Sequence, residues 1–268
     1  MITNWKITGD THGDFSRFYN YDGIFSQNKN AGLIILGDAG WNYYGLRDVK
    51  AKSEFHKSYK FYVYCVRGNH EMRPQDVPGM ELHYDENVKG EVYYEPDFPR
   101  IRYFKDWGIY YIRDFYNKEI SIGIIGGAYS VDKYYRLERG WSWFPNEELT
   151  DEEMHQCCYD MGGKHIDIML THTCPVQWEP TDLFLSMVDQ STVSKRMEEF
   201  LEYFESTIHW NIWLFGHYHA DRIEQPYVEQ FYIDTDDIEN IVGRWAAYGK
   251  GEELPWYIAK SPNFKKGT

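Results

Sequence analysis

Five times along the chain a short apolar run stops abruptly at a polar knot of Asp, Asn and His. Trp5 to Thr8 empties into Gly9-Asp10-Thr11-His12-Gly13-Asp14, Leu33 to Leu36 into Gly37-Asp38, and Phe61 to Val66 into Arg67-Gly68-Asn69-His70-Glu71. Ile166 to Leu170 leads to Thr171-His172-Thr173, and Asn211 to Phe215 leads to Gly216-His217-Tyr218-His219. Runs this short and this rich in β-branched residues read as buried strands. Helix-length segments between them, notably Leu46 to Tyr59, predict an α/β chain with largely parallel strands. Ligands bind such sheets where loops leave the carboxyl ends of strands, and every polar knot falls at such an end.

Further strands are expected near Ile101–Phe104, Ile109–Ile112 and Ile120–Ile125, the last running into Gly126-Gly127-Ala128-Tyr129-Ser130. Helices are expected over Asn146–Asp160, with a capping box of Thr150 and Glu153 inside it, and over Ser191–Glu205. A late strand over Gln230–Ile233 precedes a tail with no evident pattern. From Arg73 to Lys118 prolines and tyrosines loosen the rhythm, which suggests an insertion at about 73–118 acting as a lid or wall. No repeat or low-complexity linker divides the 268 residues, so 1–268 reads as a single domain.

With 28 Lys+Arg against 42 Asp+Glu, the formal net charge is −14, which argues against long duplex nucleic acid and anionic membrane surfaces as partners. No uncharged apolar run approaches the ~18 residues a membrane span requires. Asp10 lies where the apolar core of a signal peptide would have to be. Cys65, Cys157, Cys158 and Cys174 form no C-x-x-C pair, which suits idle thiols in a reducing compartment. The expected location is cytoplasmic.

The knots bring together carboxylates, imidazoles and an amide without thiolates, a donor set that suits borderline divalent metals such as Mn, Fe or Zn. Asp10 and His12 alternate along what reads as an extended segment, so both side chains can share one face; the same holds for His217 and His219. Alone, each knot is unremarkable, since D-x-H is usually a capping feature and Gly-Asp usually a turn. Five in order, all at strand ends, point to one metal site.

The ordered blocks D-x-H, G-D, R-G-N-H-E, H and G-H-x-H, spread over roughly residues 5 to 225, resemble the calcineurin-like metallophosphoesterase superfamily. The resemblance implies a four-layer αββα sandwich, two mixed sheets flanked by helices, with two divalent metal ions at one edge, Mn first and Fe or Zn as alternatives. It implies one metal on Asp10, His12 and His219, a second on Asn69, His172 and His217, and Asp38 bridging them. It casts His70 as the catalytic histidine, Arg67 as a phosphate-binding arginine, and Asp14 and Glu71 as groups orienting the ligands. The implied reaction is in-line attack of a bridging hydroxide on phosphorus, with His70 serving the leaving alkoxide.

Phosphatases of that superfamily carry G-D-x-V-D-R-G as their second block, whereas this chain reads Gly37-Asp38-Ala39-Gly40-Trp41-Asn42-Tyr43. The second Asp and the Arg have no counterpart there, and with them go a second phosphate clamp and the usual partner of the catalytic histidine. R-G-N-H-E favours a phosphatase acting on a small phosphate, a nucleotide or a phosphoprotein. The remaining blocks suit a phosphodiesterase or nuclease for cyclic or short nucleotides, and a catalytically silent metal-binding scaffold is the third reading. Trp41, Tyr43 and Tyr44 could stack on a substrate ring or pack beneath the insertion, and Arg136, with Lys133 and Arg139, could reach a phosphate or stay in solvent. The sequence sets no oligomeric state.

Overall fold

The computed structural model describes residues 1–18, 23–184, 186 and 189–264, and these form two sheets. The first sheet runs in the order β13 (Thr235–Asp237), β1 (Asn4–Thr8), β2 (Ala31–Ile35), β3 (Tyr62–Cys65), β6 (Ile101–Phe104), β5 (Gly90–Tyr94), β4 (Glu81–Asp85). The second runs β11 (Arg222–Gln225), β12 (Val228–Gln230), β10 (His209–Phe215), β9 (His165–Thr171), β8 (Glu119–Ile125), β7 (Trp107–Arg113). In the first, β1, β2, β3 and β6 are parallel; in the second, β8, β9, β10 and β12 are parallel. Antiparallel strands close the edges of both. Helices α1 (Gly23–Ser26), α2 (Leu46–Ser58), α3 (Lys133–Glu138), α4 (Asp151–Met161), α5 (Arg196–Glu205) and α6 (Ile238–Tyr248) complete the described elements.

Side-chain alternation separates three apolar layers. Ile34, Leu36, Tyr64 and Val66 of the first sheet meet Ile122, Ile124, Ile168, Leu170, Ile212 and Leu214 of the second. Leu33, Ile35, Val63 and Cys65 point the other way, toward Phe55 of α2. On the far side, Trp213 and Phe215 pack with Met154 and Cys157 of α4 and with Phe200 and Phe204 of α5. Helix, sheet, sheet, helix is the expected αββα sandwich. Among the described residues no helix is long and apolar enough to cross a membrane.

Several elements depart from the sequence reading for identifiable reasons. The helix expected from Asn146 starts at Asp151, because Thr150 is its N-cap: the Thr150 hydroxyl accepts the Glu153 N–H at 3.2 Å. The helix expected from Ser191 starts at Arg196, and Asp189 instead caps a short 3-10 turn over Gln190–Thr192. Strand β12 stops at Gln230, since the Asp221 carboxylate takes the N–H groups of Tyr232, Ile233 and Asp234. The stretch 73–118 carries β4 to β7, which extend both sheets, and the chain crosses between sheets at Lys105-Asp106.

The largest departure is the tail. Ile238, Ile241 and Trp245 of α6 enter the apolar layer between the sheets, and β13 pairs with β1. The Trp245 indole N–H also donates to the buried Glu229 carboxylate at 2.5 Å. Trp245→Ala is therefore expected to destabilise the fold by about 3–5 kcal/mol. Urea unfolding would read this directly, and an unchanged midpoint would mean α6 is no part of the core.

Candidate metal centre

Because β1, β2, β3, β9 and β10 are parallel within their sheets, their carboxyl ends deliver Asp10, His12, Asp38, Asn69, His70, His172, His217 and His219 to one edge. Backbone bonds tie the strand exits together: His12 N–H donates to the Asp38 carbonyl at 2.8 Å, and Gly216 N–H to that of His172 at 3.0 Å. The side chains do not converge by strand alternation, as the sequence suggested. His12, Asp38, His217 and His219 all have positive φ, at 47°, 48°, 69° and 54°. Left-handed turns past the strand ends aim these groups, a conformation that costs a non-glycine residue free energy and collects at functional sites.

The clustering is tight. Three overlapping groups (Asp10, His12 and His219; His12, Asp38 and His70; Asp10, Asp38 and His172) each offer donor atoms within 4.8 Å of one another. His70, cast as catalytic, thus also sits within ligand range of His12 and Asp38. His217 lies with its ring centroid 4.9 Å from that of His172, and its N–H donates to Asp10 Oδ1 at 3.0 Å. Asn69 meets His172 from the side, Oδ1 to Nε2 at 2.8 Å.

Two features of this cluster call for a cation. Asp10 Oδ2 is buried and accepts no hydrogen bond, with the Nε2 atoms of His219 and His12 3.3 and 3.9 Å away. His172 Nδ1 donates to the Leu36 carbonyl at 2.8 Å, which turns Nε2 toward the cluster. Nε2 faces Asn69 Oδ1 at 2.8 Å, and the Asn69 amide is oriented by donation from Nδ2 to Ser130 Oγ at 2.9 Å. An amide oxygen and an imidazole nitrogen can thus present to one positive charge, a proton or a metal ion. Burial, with His172 close by, pushes the His217 pKa down to about 3, so its imidazole is neutral and able to ligate. Burial works against a charge on Asp38, yet His70, His172 and His12 hold its carboxyl well below the usual range. Carboxylate, imidazole and amide donors fit a borderline divalent ion.

Close approach fixes the geometry. A Cβ on Gly68 would lie 2.0 Å from Asp38 Oδ1, and one on Gly37, at φ +98°, would lie 2.0 Å from His172 Nδ1. The profile of the calcineurin-like phosphoesterase family matches residues 6–221, from β1 through the G-H-x-H block. The chain belongs to that family. No curated protein matches the chain closely enough to add a named relative. As a calcineurin-like phosphoesterase the chain is a hydrolase of phosphoesters, and the groups that could hold a metal ion lie within the matched span.

The remaining expected site residues divide sharply in this phosphoesterase. Arg67 is buried, with Nε bonded to Asp106 Oδ1 at 2.5 Å and Nη1 to the Glu147 carbonyl at 2.6 Å, while its Nη2 has no hydrogen-bond partner among the described residues. Asp106 also pairs with Arg73 at 3.0 Å, so Arg67 ties the β3 exit to the corner between the sheets. Trp41 is likewise wholly buried, stacked on Phe15 at 4.4 Å and set edge-on to Phe55, a core role and no substrate platform. Asp14 is exposed and accepts the Ser16 N–H at 2.8 Å, so it caps a turn instead of orienting a ligand. Glu71 is buried and accepts the Gly40 N–H at 3.0 Å and the Gly68 N–H at 3.4 Å, bracing the loops that carry Asp38 and Asn69. Burial, with Asp38 adding to it, lifts its pKa to about 8.

Tyr43 stays at the site, its ring stacked on His70 at 5.8 Å. Arg136 is fully buried beside the same histidine: Nη2 contacts His70 Nε2 and pairs with Asp132 Oδ1 at 2.6 Å. Asp132 Oδ1 is itself 3.8 Å from His70 Nε2. Lys133 and Arg139 lie over the rings of Trp143 and Tyr135, at 4.1 and 4.3 Å. Sequence reasoning missed Asp132, Ser130 and Glu147, which together hold Arg136 and Asn69. The only signal was the i, i+4 spacing of Asp132 and Arg136.

Two variants test this anatomy. Arg67→Ala should lower stability by about 1.5–3 kcal/mol by removing one of the two guanidiniums that hold the buried Asp106 carboxylate, Arg73 being the other, as read by denaturant unfolding. A folded Arg67→Ala protein with unchanged stability but a raised KM would restore the phosphate-clamp role. Gly68→Ala should reduce bound metal measured by atomic emission while the circular dichroism stays native.

Proposed function

We propose that the chain is a metal-dependent phosphoester hydrolase that holds two divalent cations between Asp10, His12, Asp38, Asn69, His172, His217 and His219. The observation that carries this reading is the buried, unpaired Asp10 Oδ2 aimed at two imidazoles. When bound, such cations supply an activated water near neutral pH and neutralise charge at phosphorus. Asp38, which lies in two of the candidate ligand groups, would be shared by both cations, and Asn69 would contribute a neutral oxygen that limits the negative charge packed there. His70, on the wall of the cleft, protonates or hydrogen-bonds the leaving alkoxide. Tyr43 and Arg136 hold its ring from two sides. Water attacks in line, so no covalent enzyme intermediate forms.

The phosphatase reading leaned on Arg67 as a clamp. With Arg67 sealed against Asp106, the family assignment supports phosphoester hydrolysis without favouring monoesters. Mn remains the first metal to test, with Fe and Zn next. The cysteines are unpaired, in keeping with a reducing, cytoplasmic location.

The test is turnover of p-nitrophenyl phosphate and bis-p-nitrophenyl phosphate by protein reconstituted with Mn, Fe or Zn. Activity should vanish with a chelator and return with metal. His70→Ala should lower kcat about 10²–10⁴-fold with metal content intact, whereas Asp38→Asn should lose metal. Full activity in His70→Ala would remove the proton-transfer role, and a silent protein with every metal would leave a metal-binding scaffold.

A further inference from the structure

Two cavities open from the metal centre, and His70 and Asp132 line both. The larger, about 1290 Å³, runs past His12 toward Tyr43, Tyr44, Trp141 and Phe144. The smaller, about 560 Å³, runs past Asn69 and His217 toward Phe184, Val193 and Lys195. The first follows the loop after β2 and the segment past α3, and the second follows the segments before α5 and after β10. From the shared residues His70 and Asp132 the two cavities extend along different segments of the chain. A phosphomonoester has one ester arm and fills one of them. A phosphodiester has two.

The walls of the larger arm are aromatic and held in place. Asp48 Oδ2 accepts the N–H groups of Tyr43, Tyr44 and Gly45 at 2.8–2.9 Å, which pins that turn. Ser142 Oγ donates to the Tyr43 carbonyl at 3.0 Å, tying the Trp141 segment to it. Tyr44 and Trp141 remain about half exposed, at 49% and 52%, with ring surface available. Rigid aromatic walls favour a flat ring in the ligand.

We infer that the substrate is a phosphodiester that places a flat, nucleoside-sized aromatic group in the arm lined by Tyr43, Tyr44, Trp141 and Phe144. This rests on the hydrolase reading above. Water forms a new P–O bond as the bond to the second ester oxygen, directed along the smaller arm, breaks. That oxygen leaves as an alcohol with the proton His70 supplies, and the product is a nucleoside-type monoester.

The experiment compares four chromogenic esters on the Mn-loaded protein: p-nitrophenyl phosphate, bis-p-nitrophenyl phosphate, methyl p-nitrophenyl phosphate and thymidine 5′-(p-nitrophenyl phosphate). Both aryl and nucleoside diesters should exceed the monoester in kcat/KM, and the thymidine diester should exceed the methyl diester by about tenfold. In Trp141→Ala that nucleoside advantage should shrink toward unity, and calorimetric affinity for thymidine 5′-monophosphate should fall in parallel. A clear preference for p-nitrophenyl phosphate overturns the diester inference and leaves the hydrolase reading standing. Equal rates on methyl and thymidine diesters, or an advantage untouched in Trp141→Ala, overturn the aromatic arm. No turnover of any ester with Mn, Fe or Zn removes the hydrolase reading itself.

Discussion

Like-charged and lone-pair-bearing groups sealed from water repel, and this protein gathers them at the junction of two sheets. Asp10, Asp38, Asn69 and His172 are all within 2% of full burial, so solvent cannot screen their mutual repulsion. The surrounding structure is arranged to hold them together. Four left-handed backbone positions aim the donors, and glycines at 37 and 68 remove the side chains that would collide with His172 and Asp38. Each such device costs stability in the apoprotein. A bound cation would return that free energy, because ligands brought together in advance need no further ordering.

One motif residue shows how far a block can drift from its expected job. Arg67 keeps its place beside Gly68-Asn69-His70, yet its guanidinium turns inward to Asp106 at the corner where the chain changes sheets. Asp132 and Arg136, from a segment some 60 residues further on, stand beside His70. They occupy its surroundings in a chain whose second block lacks the Asp and Arg that related phosphatases carry. The chemical environment of a histidine is thus assembled from different parts of the sequence, and its neighbours are legible only in three dimensions.

What the sequence disclosed depended on whether the cause was local. Apolar runs and the polar residues that end them are local, so β1, β2, β3, β9 and β10 and the ligands after them could be read directly. Trp41 could not be placed, because its burial depends on Phe15 and Phe55, distant in the chain. Helix α6 was overlooked because the spacing of Ile238, Ile241 and Trp245 looks ordinary until the gap between the sheets is seen to receive them. Strand alternation was expected to turn Asp10 with His12, and His217 with His219, to one face; left-handed turns at His12, His217 and His219 aim these side chains instead.

The pairing of β1 with β13 sets a timetable for the molecule. Lys6 lies opposite Asp237 and bonds to it, so the strand that presents Asp10 is flanked on both sides only after 231 further residues have been made. Contacts this distant in sequence slow folding, since a long loop must close before they stabilise anything. During synthesis, β1 therefore waits with one edge open while β2 to β10 emerge. The strand that presents Asp10 thus gains its second neighbour only once Thr235–Asp237 has emerged.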